Sequence, residues 1–418
     1  MSCAGAPPDR RQRIEQKAAQ KVAAESEQLL AALRQREDCR PEFEAFLRCL
    51  STTSAASAAD AARRSGRPLL KLLCVQAPLE LIHAAGFHPF RVFSGSLAAS
   101  ALAAGNLPAL TCPLLRAVLG ELRLNAAPAA GWVLPATCDW VTRFPEMLRL
   151  CEVDDSSAIW WLELPRLKNR ADGRERWLTE IWRLKEFLER LAGRGIGRNA
   201  LLDSIAAYAR AAAARQKLRQ ARIEGRLAPL WFMLVMSAFF LDEVSAWTAS
   251  VERLLAVLTP QRTQARENGS GRVFLAGSPI VFPNFKLPLL LEEAGLSVVA
   301  DDLCSSERIF PGTTVVEDES LFGLVSALAG SYHQGCLCPV FADNERRVNN
   351  IFNQRDEAGF QGVVFNVLKG CHPYDLESYS LEAPLKAQGL KFIRLETDYT
   401  QEDRQNLLTR LEAYRGIR

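Results

Sequence analysis

Apolar and polar positions follow four textures along this chain. From about Asp9 to Leu50, apolar residues are scattered among Ala, Glu, Gln and Arg with no glycine, which predicts helix. Ser51 to Ser65 (STTSAASAADAARRS) consists of small residues and predicts a linker or a loosely packed helix. From Pro68 short apolar runs take over. Leu69 to Val75 (LLKLLCV) has strand length, Pro78 opens a helical stretch from Leu79 to Ala85 ended by Gly86, and Phe87 to Phe93 predicts another strand. Gly131 to Leu134 is a strand leading to Cys138, Asp139 to Leu150 a helix, and Ala158 to Leu164 a strand.

Between about Arg166 and Gln264 the period becomes helical. Trp177, Ile181, Leu184 and Leu188 recur at helical spacing, as do Leu201, Ile205, Tyr208 and Ala212. Strand-like runs return after Gly271: Arg272 to Ala276, Leu296 to Ala300, Gly362 to Leu368 and Lys391 to Leu395. Helical stretches separate them, at Leu287 to Ala294, Ser320 to Ala329, after Cys371, and from Gln401 to Tyr414. Strand and helix in alternation predict parallel sheets covered on both faces. The fold class is therefore α/β, with two doubly wound (Rossmann- or flavodoxin-like) domains, an N-terminal helical arm and a helical connector. The expected boundaries are 1–66 for the arm and linker, 67–165 for the first domain, 166–265 for the connector and 266–418 for the second domain.

At 418 residues the chain exceeds one ordinary core, in keeping with two domains. A formal net charge of +3 offers no concentrated basic field, so nucleic-acid binding is not expected. No apolar run follows the early Arg10, Arg11 and Arg13, so no secretory signal is seen. The most apolar stretch, Leu230 to Leu241, falls short of the roughly 20 residues a bilayer span requires and predicts a buried helix. A cytoplasmic protein without membrane association is expected, in a compartment where thiols stay reduced.

Eleven cysteines then need a reason other than disulfides. Seven fall at or near strand ends or helix starts: Cys74, Cys112, Cys138, Cys304, Cys336, Cys338 and Cys371. Open α/β sheets bind ligands outside the carboxyl ends of their strands, where helix N-termini offer free N–H groups and favour thiolates. Packing alone accounts for any one such cysteine, since the residue buries readily. Cys3, Cys39, Cys49 and Cys151 lie elsewhere and are treated as ordinary. Cys336-Leu-Cys338 is the one close pair, so zinc knuckles are poorly matched, and thiols distant in sequence suit an iron–sulfur cluster better. His372 follows Cys371 directly and is either a helix-start residue or a proton donor. No Walker A loop, G-x-G-x-x-G or G-x-S-x-G occurs, and Gly277-Ser278-Pro279 is a weak candidate for a phosphate or cofactor contact.

Cys74-Val-Gln-Ala-Pro-Leu-Glu-Leu-Ile-His-Ala-Ala-Gly86 resembles the first motif of the 2-hydroxyacyl-CoA dehydratase and benzoyl-CoA reductase superfamily, in the manner of its D-component subunit. Ala136-Thr-Cys138-Asp139 and Leu368-Lys-Gly-Cys371-His-Pro-Tyr374 are similar to its second and third cysteine motifs. Leu395-Glu-Thr-Asp-Tyr399, with Thr409-Arg410-Leu-Glu-Ala413, resembles the closing signature. The likeness runs from about Leu70 to the C-terminus, with little from the helical middle.

The resemblance implies a 4Fe–4S cluster on Cys74, Cys138 and Cys371. Cys112, Cys304 and one of Cys336 and Cys338 resemble the added ligands of the double-cubane branch, which carries an 8Fe–9S cluster on six cysteines. It further implies an oxygen-sensitive reductase that accepts low-potential electrons from an ATP-hydrolysing iron–sulfur activator. The substrate would be a small molecule or an acyl-CoA, and the assembly a homodimer or a heterodimer with a paralogous subunit. Glu396 and His372 are candidate proton donors. Alternatives are a dehydratase or benzoyl-CoA reductase subunit with one cubane, a non-catalytic electron-transfer protein, and a zinc-structured protein. Two departures bear on substrate and activator contacts: Ser305-Ser-Glu-Arg308 follows Cys304 where relatives often place glycine, and Trp140 follows Asp139.

Overall fold

The computed structural model describes residues 10–125, 127–258, 271–342 and 345–416, Ala171 without its side chain. Cys3, Asp9, the end of the expected helical middle from 259 to 264, and the 265/266 boundary lie outside the described residues.

Two four-stranded parallel sheets organise the chain. The first contains β1 (Leu69–Leu72), β2 (His88–Arg91), β3 (Gly131–Pro135) and β4 (Ala158–Leu162), in the order β2-β1-β3-β4. The second contains β5 (Arg272–Gly277), β6 (Ser297–Asp301), β7 (Gly362–Leu368) and β8 (Lys391–Thr397), in the order β6-β5-β7-β8. Every strand pairing is parallel. Continuous apolar runs such as GVVFNVL in β7, buried at every position, are what two-sided helical cover demands. The α/β expectation holds in both halves.

Each sheet reverses its winding at the middle pair. The carboxyl ends of β1 and β3, and of β5 and β7, are therefore the switch points where such sheets open a crevice. Cys74 lies just past β1 and Cys138 just past β3, whereas Ser278 and Cys371 follow β5 and β7.

Several elements differ from the expectation. The N-terminal helix stops at Arg34, and a 3-10 turn at Pro41–Phe43 precedes a second helix at Glu44–Leu50. Pro41 supplies no N–H to a continuing helix, so the break falls there. Ser54–Ser65 is a regular helix: Thr53 Oγ1 accepts from Ala56 N at 3.2 Å, Gly66 closes it at φ 66, and Ala58 and Ala61 are fully buried. Small residues there mean close packing, which rules out a linker. The helix expected over 139–150 is two, Asp139–Thr142 and Phe144–Leu150, because Pro145 is tolerated only in a first turn. Helices at Leu97–Ala104, Pro113–Leu124 and Glu345–Ala358 add to those expected.

The middle is helical, at Ala171–Ala192, Arg198–Ile223, Pro229–Ser237 and Val244–Val257. Leu230 to Leu241 is buried in the third of these and the turn after it, and no described helix is long and apolar enough to cross a membrane. The Arg198–Ile223 helix drives two arginines into the second sheet. Arg222 pairs with Asp301 at 2.7 Å, both wholly buried, and also with Glu307, which Arg219 meets at 3.0 Å. Arg347 pairs with Asp302 at 2.8 Å and Glu377 at 2.5 Å.

The two halves touch backbone to backbone. Gly95 N donates to Phe282 O at 2.9 Å, and a Cβ on Gly95 would lie 2.0 Å from Val281 O. Gly370, at φ 76, stands where a Cβ would come within 2.2 Å of Leu110 O. One continuous apolar core runs from the N-terminal helix through both sheets to Tyr414.

Candidate functional site

Three of the seven cysteines stand at the N-termini of helices. Cys112 precedes Pro113–Leu124, Cys138 precedes Asp139–Thr142, and Cys371 precedes His372–Ala387. The first N–H groups of a helix have no partner within it and favour negative charge at the N-terminus, although none makes a capping hydrogen bond to these three sulfurs. The nearby Leu115 and Leu114 N–H groups ease ionisation of Cys112, those of Val141 and Trp140 that of Cys138, and the Ser278 hydroxyl with Tyr374 N–H that of Cys371. Cys112 lies within electrostatic reach of Cys371 and Cys138, and Cys371 of Cys138. Burial nonetheless pushes all three thiols up, Cys371 to about 12. Trp140, one of the two departures noted in the sequence, donates from Nε1 to Gly370 O at 3.4 Å and so links two of these loops.

The other four sit among cations. Cys74 lies within reach of Cys338 and Cys304, and Cys338 of Cys304, whereas Cys336 meets only Cys338 among the thiols. Arg91, the last residue of β2, places Nη2 3.2 Å from Cys304 Sγ and donates also to Cys304 O and, at 3.3 Å, to Leu73 O. Its guanidinium stacks 3.5 Å over the Phe93 ring. Arg308 donates to Leu337 O and the Tyr374 hydroxyl and flanks Cys304 and Cys338. Lys168 donates to Cys336 O, lies 3.7 Å over Phe341, and is brought down to about 8 by burial. Burial opposes ionisation of Cys304, but Arg91 and Arg308 outweigh it and hold this thiol below its ordinary value. Burial raises Cys74, Cys338 and Cys336, the last to about 12. Cys371 also lies within electrostatic reach of Cys304.

Cys39, Cys49 and Cys151 feel only nearby acidic and basic side chains and none of the seven. His372 is exposed at its helix start. Glu396 is exposed on β8 and accepts from Arg394 at 3.1 Å. Ser278 is wholly buried; its Oγ accepts from Leu368 N at 3.1 Å, which makes it a staple between β5 and β7 rather than a phosphate contact. Sequence reading passed over Arg91 and Lys168. The signal for Arg91 was a charge inside an apolar strand, Phe90-Arg91-Val92.

All ten described cysteines are free thiols. Gln76 with both amide atoms, Thr111 Oγ1 and Arg308 Nε, close in sequence to Cys74, Cys112 and Cys304, are buried without a partner. Among the described residues no three Cys, His or carboxylate side chains converge as ligands of one metal ion do. A multi-iron cluster requires donors spread around a larger object, and soft thiolates with adjacent N–H groups and cations are the donor set it takes. The residues fit such a group.

A profile of the family described as 2-hydroxyglutaryl-CoA dehydratase, D-component, matches residues 74–415, from the first of these cysteines to the last helix. The chain belongs to this family. The chain is similar to the putative dehydratase subunit YjiM of Escherichia coli, at 26% identity over 84% of this chain and 92% of that relative. It is 23% identical to the β subunit of (R)-2-hydroxyglutaryl-CoA dehydratase from Acidaminococcus fermentans, over 84% and 93%. A benzoyl-CoA reductase subunit from Thauera aromatica is 24% identical over 74% and 80%. The chain is thus an enzyme of the 2-hydroxyacyl-CoA dehydratase-like type.

Proposed function

We propose that this chain is the iron–sulfur reductase part of a two-component system, working in a reducing cytoplasm. An ATP-hydrolysing iron–sulfur activator would supply single low-potential electrons, and a small molecule or acyl-CoA would be reduced. What carries this reading is the placement of free thiols from both sheets just past the carboxyl ends of β1, β3, β6 and β7, with Cys371 and Cys304 within electrostatic reach of each other.

Cys112, Cys138 and Cys371 would hold one cubane, and Cys74, Cys304 and Cys338 the other, within an 8Fe–9S unit. Cys338 is preferred to Cys336 because it reaches Cys74 and Cys304, whereas Cys336 reaches neither and closes the Leu321–Gly335 helix. The bound group supplies one-electron reduction at low potential. The chain keeps water from the sulfurs by burial, surrounds them with helix N–H groups and guanidiniums, and leaves His372 and Glu396 exposed as candidate proton donors.

A second reading has one observation in its favour: the relatives are themselves named as single subunits of dehydratases and of a reductase. In that case one 4Fe–4S cluster would rest on Cys74, Cys138 and Cys371, and a paralogous subunit would complete the enzyme. Iron and acid-labile sulfide per chain, measured after oxygen-free purification, test both. About eight irons support the two-cubane reductase and about four the dehydratase-like subunit. No iron after anaerobic reconstitution overturns both.

A further inference from the structure

Thiolates around a cluster need positive charge, and the two groups of cysteines obtain it differently. At Cys112, Cys138 and Cys371 the favourable neighbours are backbone N–H groups of Leu114, Leu115, Trp140, Val141 and Tyr374, with the hydroxyls of Thr137 and Ser278. The side-chain charge beside Cys138 is a carboxylate, Asp139. At Cys74, Cys304 and Cys338 the favourable neighbours include whole cations. Arg91 Nη2 lies 3.2 Å from Cys304 Sγ and reaches Cys74, and Arg308 faces Cys304 and Cys338. Arg91 is fixed there by two carbonyls and the Phe93 ring, and Arg308 by Leu337 O and the Tyr374 hydroxyl. A helix end carries about half an elementary charge, a guanidinium a whole one, and both act here in a medium that screens weakly.

Each electron added to a cluster adds one negative charge, so nearby cations raise the reduction potential of the half they face. We infer that Arg91 and Arg308 make the Cys74–Cys304–Cys338 side the half that takes the first electron, while the helix-capped side keeps the lower potential. This rests on the two-cubane reading above. The step is a one-electron transfer from an external low-potential reductant; no bond breaks, and the added charge settles beside Arg91 and Arg308. Arg91 acts as a positioning residue for the potential and makes no contact with substrate.

The test is a reductive titration of the full-length, anaerobically reconstituted protein with titanium(III) citrate, followed by EPR and visible absorbance. Two one-electron waves are expected. Arg91→Gln should move the more positive wave at least tenfold in reduction constant, about 59 mV for one electron, toward negative potential and leave the other in place. Arg91→Lys should recover part of that shift. Ser278→Ala, which removes the hydroxyl that eases ionisation of Cys371, should move only the lower wave. Should Arg91→Gln fail to hold iron, Lys168→Gln should displace the upper wave in the same direction by less. An unmoved upper wave, or a shift confined to the lower one, overturns the inference. A single wave with four irons per chain instead removes the two-cubane reading, and the inference with it.

Discussion

Cys371 and Cys304 both sit just past a strand of the second sheet, yet the surroundings of their sulfurs are built on opposite principles. Cys371 is served by its own helix, whose first N–H groups come with the sequence that follows it. Cys304 is served by Arg91, 213 residues earlier in the chain, and by Arg308, itself held by Leu337 O and the Tyr374 hydroxyl. A local cap survives as long as its helix does. A cation brought across a domain seam survives only while the tertiary packing behind it is intact, so the two sides should fail under different substitutions.

The largest effect is expected from removing a sulfur. Cys371→Ala should abolish the visible chromophore or strip most of the iron, whereas Cys151→Ala, buried away from the seven, should leave both unchanged. Equal behaviour of the two variants would show that the cysteines are wrongly sorted.

Arg222→Ala should come next. It leaves Asp301 and Glu307 buried without their main cation, a loss of about 3–5 kcal/mol in denaturant unfolding. Those carboxyls flank the Cys304 loop, so in the folded fraction the cation-held side should lose its features first. A cost below about 1 kcal/mol would mean that the network is not what supports that side.

A pH test bears on the helix-capped side. Glu121, on the helix that Cys112 precedes, is pushed up to about 7 by burial, with the Glu25 carboxylate adding to the effect. The folded chain keeps this proton to about pH 7, whereas an unfolded chain releases it near 4.3. Between those values the unfolded state binds fewer protons, so stability falls as pH rises, by up to about 1.4 kcal/mol per unit. Glu121→Gln should flatten that slope in unfolding midpoints measured from pH 4 to 8; an unchanged slope would assign it to another group.

Gly370→Ala is the smallest. Its left-handed backbone and the nearby Leu110 carbonyl together should cost about 1–3 kcal/mol. The displacement falls on the Cys371 and Cys112 loops, so the EPR features of the helix-capped side should broaden while those of the other side persist. Broadening on both sides would mean that the two are mechanically coupled.

These contrasts also explain what the sequence could disclose. Parallel strands were visible because two-sided burial leaves uninterrupted runs such as Val363 to Leu368. The seven cysteines stood out because strand ends and first-turn prolines such as Pro113 and Pro373 mark their places. Their division into two groups was not visible, since it depends on which loop ends face each other across the seam. Arg308 was noticed only as a departure from relatives, because its partners at Leu337 and Tyr374 are 29 and 66 residues away. The helix at Leu97–Ala104 was missed because it is apolar nearly all round, which hides the period of 3.6, and of Pro113–Leu124 only the start at Pro113 was noted.

The close approaches at Gly95 and Gly370 have a bearing on how the molecule comes apart. Main chain meets main chain at both points, with no side chain between the halves to act as a cushion. Loosening one half therefore removes the bond from Gly95 N to Phe282 O and the close seat of Gly370 against Leu110 O, so the halves are expected to melt together. The chain should lose its structure in one calorimetric transition, as a single cooperative unit with two architectural centres.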